Sequence, residues 1–150
     1  PNHQVGRITS FAMRCNVAMP GQFGFELDLN GCSEKELETA EKAIKDYRKY
    51  GEIFHKGDCY RLCSPFDSDI SAVQFIAEDK NTVILTVNSS KATPNAPDEY
   101  IRLDGLDESA CYRCEGTDKC FGGDYLMSVG WYFVNNSENK SSIIILKKEN

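Results

Sequence analysis

The chain has 150 residues, of which 41% are hydrophobic and 27% charged, a composition typical of globular proteins. Its net charge of -6 leaves no basic surplus to neutralise phosphates, which argues against nucleic acid or an anionic membrane as a partner. No apolar run approaches the roughly 20 residues that a membrane-spanning helix needs. The seven cysteines are an odd number, which is unusual for a secreted disulfide scaffold, so we expect reduced thiols in a cytoplasmic protein.

The first part of the chain predicts a helix followed by a strand. Thr9 or Ser10 can cap a helix that runs to about Met19. Residues 23–29 then alternate apolar and other side chains with the period of a strand. A lone strand cannot satisfy its edge groups, so we expect this segment to be a piece of a larger α/β fold.

A second helix is predicted over residues 33–50. Ser33 and Glu36 have the spacing of a capping box, in which each side chain accepts a hydrogen bond from the other residue's backbone. Gly51 suits the left-handed residue that often follows the end of a helix. One face of this helix carries an apolar stripe, which we expect a sheet to cover.

From about residue 53 the pattern changes to short β-rich runs separated by turns. The runs predicted as strands are 59–63, 72–77, 82–87, 99–103, 111–114, 125–129, 131–134 and 142–147. Strands about ten residues apart with turns between them are typical of an antiparallel sandwich or barrel. We therefore predict two parts, residues 1–52 and residues 53–150.

Few residues stand out as candidates for chemistry. Glu26 and Asp28 lie on one face of the predicted strand, where they could serve acid/base catalysis, hold a cation or be structural. His3 lies in a polar loop, where binding residues often occur, whereas His55 is interpreted as a surface or interdomain residue. Trp131 could stack on a sugar or belong to the core.

The cysteines suggest a zinc site only weakly. The spacing of Cys111, Cys114 and Cys120, with Cys59 and Cys63 as further ligands, could supply the four ligands that zinc requires. However, a single CxxC pair in a strand-like run is better explained by cysteine acting as a small hydrophobic residue. We predict no metal site.

Four phrases then occur in a characteristic order. They are PNHQVGR at 1–7, QFGFELDL at 22–29, GDCYRLCSP at 57–65 and GGDYLM at 122–127. In this order they resemble the C-terminal end of bacterial α-galactosidases of glycoside hydrolase family 36. The resemblance implies a mixed fold: the last β/α units of a (β/α)8 catalytic barrel over 1–52, with 23–29 as its eighth strand, followed by an antiparallel, Greek-key type β-sandwich over 53–150.

The resemblance also implies a reaction, the retaining hydrolysis of terminal α-galactosides such as melibiose and raffinose by two aspartates. Both aspartates are expected upstream of Pro1. The chain therefore has no predicted catalytic residue or cofactor, its substrate-binding residues are unknown, and we expect it to be inactive alone. The Asn2-His3 loop and Asp28 are expected near the C-terminal strand ends, where barrel active sites gather.

The implied partners are α-galactoside sugars, and a homo-oligomer is compatible with the resemblance. The alternative function is a carbohydrate-binding β-sandwich without catalysis. The aromatic side chains that could serve it are Tyr60, Tyr112, Tyr125, Trp131 and Tyr132.

Overall fold

The computed structural model describes residues 6, 8–95 and 99–149. The helices are α1 (Phe11–Ala18), α2 (Glu34–Lys56) and α3 (Gly123–Ser128), with a 3-10 turn at Leu29–Gly31. The strands are β1 (Asp58–Cys63), β2 (Ile70–Ile76), β3 (Thr82–Ser89), β4 (Glu99–Ile101), β5 (Cys111–Cys114), β6 (Cys120–Gly122), β7 (Trp131–Phe133) and β8 (Lys140–Glu149). Within these described ranges, no helix is both long and apolar enough to cross a membrane.

The strands form two antiparallel sheets. Six strands make the larger sheet in the order β1-β2-β3-β8-β5-β6, and β4 pairs with β7 in the smaller one. The long pairing of β3 with β8 runs from Thr82 opposite Lys147 to Ser89 opposite Lys140 and forms the middle of the larger sheet. The antiparallel, β-rich class predicted for the second part of the chain is therefore confirmed.

Both faces of the larger sheet are covered, because β3 is apolar on both sides. Val83, Leu85 and Val87 point into a core that is closed by the smaller sheet and α3. Ile84 points the other way, into a core that it shares with buried residues of α1 and α2. The part that the structure describes thus has three layers: helices, the six-stranded sheet, and the smaller sheet with α3.

The two longer helices begin where the sequence predicts. The Ser10 hydroxyl accepts a hydrogen bond from the backbone N–H of Met13 at 3.1 Å and caps α1. The capping box at α2 is formed in both directions, with the Ser33 backbone N–H donating to the Glu36 carboxylate at 2.9 Å. Such caps stabilise a helix because they satisfy backbone groups that have no partner within it.

The predicted end of α2 at Gly51 is wrong, since the helix continues to Lys56. A glycine inside a helix costs about 1 kcal/mol relative to alanine. The extra turn offsets this cost by burying Phe54 in the core between the helices and the sheet. The helix ends instead at Gly57, where an added Cβ would meet the carbonyl oxygen of Ile53 at 2.6 Å.

The predicted strand over 23–29 is also wrong. No strand in the described ranges pairs with this segment, which is irregular and leads into the 3-10 turn. Its aromatic residues pack on the helices instead: Phe25 stacks on Phe11 with ring centroids 5.7 Å apart, and Phe23 lies 5.5 Å from Tyr47. Alternating apolar residues can direct side chains to one side of the backbone, but a strand also needs a neighbouring strand with which to form hydrogen bonds.

The predicted strand over 125–129 is part of a helix, α3, and the short strand β6 before it was not predicted. A short apolar run does not by itself distinguish a strand from a helix. Here the Ser128 hydroxyl donates to the Asp124 carbonyl at 2.6 Å, and Leu126 is fully buried. The Gly123 N–H donates to the Ala110 carbonyl at 2.8 Å, which ties the start of α3 to the loop before β5.

Candidate functional site

Asp28 has a structural role in this chain. Its carboxylate accepts hydrogen bonds from the backbone N–H of Asn30 at 3.0 Å and from the Asn30 side chain at 3.1 Å, which caps the 3-10 turn. Glu26 is exposed and lines a small cleft of about 250 Å³ between α1 and the segment that follows it. The structural alternative is therefore the better interpretation of Asp28.

Asn2 and His3 lie outside the described residues, so their expected place near a catalytic face stays a prediction. His55 is described and exposed on α2. Its Nε2 lies 2.8 Å from the hydroxyl oxygen of Tyr47, and the two rings meet edge to face. This pairing agrees with the interpretation of His55 as a surface residue.

Most of the aromatic residues considered for sugar binding pack inward. Tyr112 is fully buried, and its hydroxyl accepts a hydrogen bond from the backbone N–H of Asp107 at 3.0 Å. Trp131 and Tyr60 are half-buried against the same core. The Trp131 ring meets the Phe121 ring edge to face at 5.3 Å, so it acts as a core residue rather than a stacking surface.

One aromatic pair is open to solvent. Tyr100 on β4 lies opposite Tyr132 on β7, with ring centroids 5.3 Å apart and 48% and 45% of the two residues exposed. Cross-strand aromatic pairs stabilise a sheet, and exposed aromatic rings can also stack on a sugar. Sequence reasoning included Tyr132 but missed Tyr100, which becomes its neighbour only when β4 pairs with β7.

A group of polar residues lies where the helices meet the sheet. We call this group, Glu115 with Lys49, Tyr50 and Lys147, the Glu115 junction. Glu115, in the turn between β5 and β6, accepts hydrogen bonds from the Lys49 ammonium at 2.8 Å and from the Tyr50 hydroxyl. These two donors hold the pKa of the Glu115 carboxyl below its usual value. Lys147 on β8 lies over the Tyr50 ring at 5.0 Å, and its burial lowers its pKa.

No pattern in the sequence could have indicated this junction. Glu115 and Lys49 are 66 residues apart, and neither belongs to a recognisable motif. A cavity of about 460 Å³ beside them carries charges of both signs, including Lys49, Lys147, Glu52 and Glu78. Because the lining includes residues of α2 and of β8 and charges of both signs, this cavity is compatible with polar contacts that hold the helix against the sheet.

The cysteines depart from the expectation that all seven are reduced. Cys111 and Cys120 form a disulfide, whereas the free thiols are those of Cys15, Cys32, Cys59, Cys63 and Cys114. Cys114 packs against the core, and in the part of the chain that the structure describes it does not join Cys111 and Cys120 in a group of potential metal ligands. The odd count therefore did not exclude a bonded pair.

One group in the described ranges brings three potential metal-ligand atoms within 4.8 Å of one another: Cys111, Cys120 and Glu149. Two sulfurs that are bonded to each other are not thiolates and cannot serve as the anionic ligands that zinc prefers. Glu149 is in turn engaged by an ion pair with Arg113. In this form the group is a disulfide beside an ion pair.

Comparison with known proteins places the chain among glycoside hydrolases. Residues 70–146 match the model of the glycosyl hydrolase family 36 C-terminal domain, and residues 1–57 match the melibiase model. The curated relatives include alpha-galactosidase AgaA of Geobacillus stearothermophilus, 38% identical over 130 residues, which cover 87% of this chain and 18% of that protein. Alpha-galactosidase Mel36A of Lactobacillus acidophilus is 38% identical over 132 residues, which cover 88% of this chain and 18% of that protein.

Solved structures agree with these matches. The galactosidase domain of the alpha-galactosidase–sucrose kinase AgaSK superposes with a TM-score of 0.94 at 32% identity, over 99% of this chain and 21% of that one. A variant of Geobacillus stearothermophilus AgaA in complex with raffinose superposes with a TM-score of 0.93 at 35% identity, with the same coverage of 99% and 21%. The chain thus spans about a fifth of the length of the relatives it matches.

Proposed function

The chain belongs to glycoside hydrolase family 36, and from this premise we propose that it is the C-terminal part of a retaining α-galactosidase that hydrolyses terminal α-galactosides of the melibiose and raffinose type. The observation that carries the proposal is the succession of two family matches along one chain, melibiase over 1–57 and the family 36 C-terminal domain over 70–146. The complex of AgaA with raffinose supports the substrate class.

Within that enzyme, residues 1 to about 52 are the end of the (β/α)8 barrel and residues 53–150 are the C-terminal β-sandwich. The sandwich braces the barrel. The contacts that support this role join α1 and α2 to one face of the six-stranded sheet. Phe54 meets Phe75 edge to face at 5.1 Å, Ile84 is fully buried beneath the helices, and the Glu115 junction adds hydrogen bonds at the margin.

The catalytic aspartates are proposed to lie outside this chain, which needs no cofactor or metal for its role. A retaining mechanism uses two carboxyl groups about 5–5.5 Å apart, one as nucleophile and one as acid/base. We propose that Glu26 and Asp28 take neither role, since Glu26 is exposed and Asp28 caps a turn.

The stereochemistry of the product tests the mechanism. The intact parent enzyme is mixed with raffinose or melibiose, and the first galactose released is followed by proton NMR before mutarotation. We expect α-galactose to form first, because double displacement retains the configuration of the anomeric carbon. Initial formation of β-galactose would show an inverting enzyme and refute the proposed mechanism.

The exposed Tyr100–Tyr132 pair favours a second candidate, sugar binding by the sandwich itself. Two neighbouring rings open to solvent offer an apolar surface for the face of a galactose ring. Titration of the chain with raffinose, monitored by calorimetry, tests this. Binding that is lost in Tyr100→Ala and kept in Phe66→Ala would support the candidate, and no binding by the unmodified chain would eliminate it.

The proposed location is the cytoplasm, where the free thiols of this chain would stay reduced. The proposed partners are α-galactosides, with neither nucleic acid nor membrane among them. A homo-oligomer is a further proposal, supported by Leu37 and Ile44, which remain partly exposed on α2. Light scattering of the parent enzyme measures its oligomeric state directly.

A further inference from the structure

The β5–β6 hairpin carries two cysteines on one face. Cys111 pairs with Gly122, and Arg113 pairs with Cys120, so Cys111 and Cys120 lie diagonally across the hairpin and point to the same side. Their Cα atoms are 6.2 Å apart, within the range that a disulfide spans. We propose that this pair is a reversible disulfide that closes under oxidising conditions and opens under reducing ones.

Small reagents can reach this face of the hairpin. Both cysteines are half-buried. Tyr112, which follows Cys111 on β5, points to the opposite face of the hairpin and is fully buried. On the next strand, Glu149 lies opposite Cys111, and its carboxylate is 3.3 Å from the Cys120 sulfur. Arg113 is ion-paired with that carboxylate and offsets its negative charge beside the sulfurs.

The chemistry is thiol–disulfide exchange with a low-molecular-weight disulfide such as glutathione disulfide. One cysteine loses its proton, and its thiolate attacks a sulfur of the reagent, which forms a mixed disulfide and releases one thiolate. The thiolate of the other cysteine then attacks the protein sulfur of the mixed disulfide, which forms the Cys111–Cys120 bond and releases the second thiolate. The two protons lost by the cysteines leave with the two reagent thiols, and the reverse sequence opens the bond.

The bond acts on a weak part of the sheet. β6 has three residues and lies at the edge of the six-stranded sheet, where it pairs with β5 alone. The chain continues from β6 directly into α3, which buries Leu126, and the turn before β6 carries Glu115 of the junction. Closing the disulfide therefore fixes the edge strand, the start of α3 and the turn that contacts α2.

Peptide mapping of the chain tests the pairing. The chain is equilibrated with oxidised or reduced glutathione, its free thiols are alkylated, and it is digested with trypsin. Cleavage after Arg113 and Lys119 separates Cys111, Cys114 and Cys120 into the peptides 103–113, 114–119 and 120–140. We expect peptides 103–113 and 120–140 to stay linked after oxidation, with Cys114 alkylated, and to separate after reduction.

Either of two results would overturn the proposal. In one, Cys111 and Cys120 are alkylated or singly glutathionylated in oxidising buffer while the chain remains folded by circular dichroism. In the other, the linked peptides persist unchanged in reduced glutathione, which would show a permanent rather than a reversible bond. This measurement uses the unmodified chain, and its outcome is independent of any glycosidase activity.

Thermal denaturation measures how much closing the Cys111–Cys120 bond stabilises the chain. Oxidation should raise the melting temperature on the order of 5 °C, because the bond restricts the unfolded chain. The double variant C111S/C120S should show no difference between the two buffers, and C59S, which removes an exposed free thiol, should behave like the unmodified chain. Equal melting temperatures of the oxidised and reduced unmodified chain would contradict the stabilising role.

Discussion

At the scale of single residues, Glu115 makes a polar contact between the helices and the sheet. It joins a turn of the sheet to two consecutive residues of α2, Lys49 and Tyr50, through charge-assisted hydrogen bonds. Such pairs at a solvent-exposed position contribute little to the free energy of unfolding, because water screens the charges and the long side chains lose conformational entropy when they pair. The junction therefore helps to orient α2 on the sheet, whereas apolar packing supplies most of the stability of this contact.

Replacing the carboxylate tests this view. Glu115→Gln keeps the shape of the side chain but loses its negative charge, and we expect the melting temperature at pH 7 to fall by about 2 °C. The matched control is Glu38→Gln on the exposed side of α2, which should leave the melting temperature unchanged. Equal effects of the two substitutions would show that the junction contributes nothing specific.

The difference in melting temperature between the unmodified chain and Glu115→Gln should also depend on pH. The hydrogen bonds from Lys49 and Tyr50 lower the pKa of Glu115 in the folded chain. Stability that derives from a lowered carboxyl pKa is present above the unfolded value, about 4.3, and is lost as the pH falls through the folded value. The difference in melting temperature between the unmodified chain and Glu115→Gln should thus be complete at pH 7 and shrink below about pH 4. A difference that stays constant into acid would contradict the assignment.

At the scale of elements, α2 is attached mainly by its last turns. Phe54 is 6% exposed and packs edge to face against Phe75 of β2. Phe54→Ala would leave a cavity between α2 and the sheet and should reduce the free energy of unfolding by about 3–5 kcal/mol. Urea denaturation followed by circular dichroism measures this change.

Phe66 provides the control for that substitution. It lies in the turn after β1 and is 96% exposed, so Phe66→Ala should change the free energy of unfolding by no more than about 0.5 kcal/mol. If Phe54→Ala were as mild as Phe66→Ala, α2 would not be anchored to the sheet as described.

The elements also show how far sequence reasoning extends. The starts of α1 and α2 were predicted because capping depends on residues three positions apart, and Ser33 with Glu36 is such a pair. The end of α2 and the conformation of residues 23–29 could not be predicted, because both depend on parts of the chain that are distant in sequence. The last turn of α2 is stabilised by the packing of Phe54 on β2, and residues 23–29 would need a neighbouring strand to form a strand themselves. The apolar run over 125–129 was ambiguous at its length, and as α3 it buries Leu126 in the core while Tyr125 and Val129 stay exposed.

At the scale of the whole molecule, the six-stranded sheet separates two cores and receives α1 and α2 on one face. The family was recognisable from phrases in the sequence, because each phrase is local and their order is preserved. The Glu115 junction, the Tyr100–Tyr132 pair and the Cys111–Cys120 bond were not, because each joins residues that only the folded sheet brings together. In the proposed account, all three features belong to a part of the enzyme that supports an active site carried elsewhere.

The most direct test of that account is the hydrolysis of a chromogenic α-galactoside by the 150-residue chain, measured beside the intact parent enzyme. We predict activity in the parent enzyme and none in the chain, since the proposed catalytic aspartates are not among its residues. Measurable hydrolysis by the purified chain would contradict the account and would make Glu26 and Asp28 the first residues to substitute.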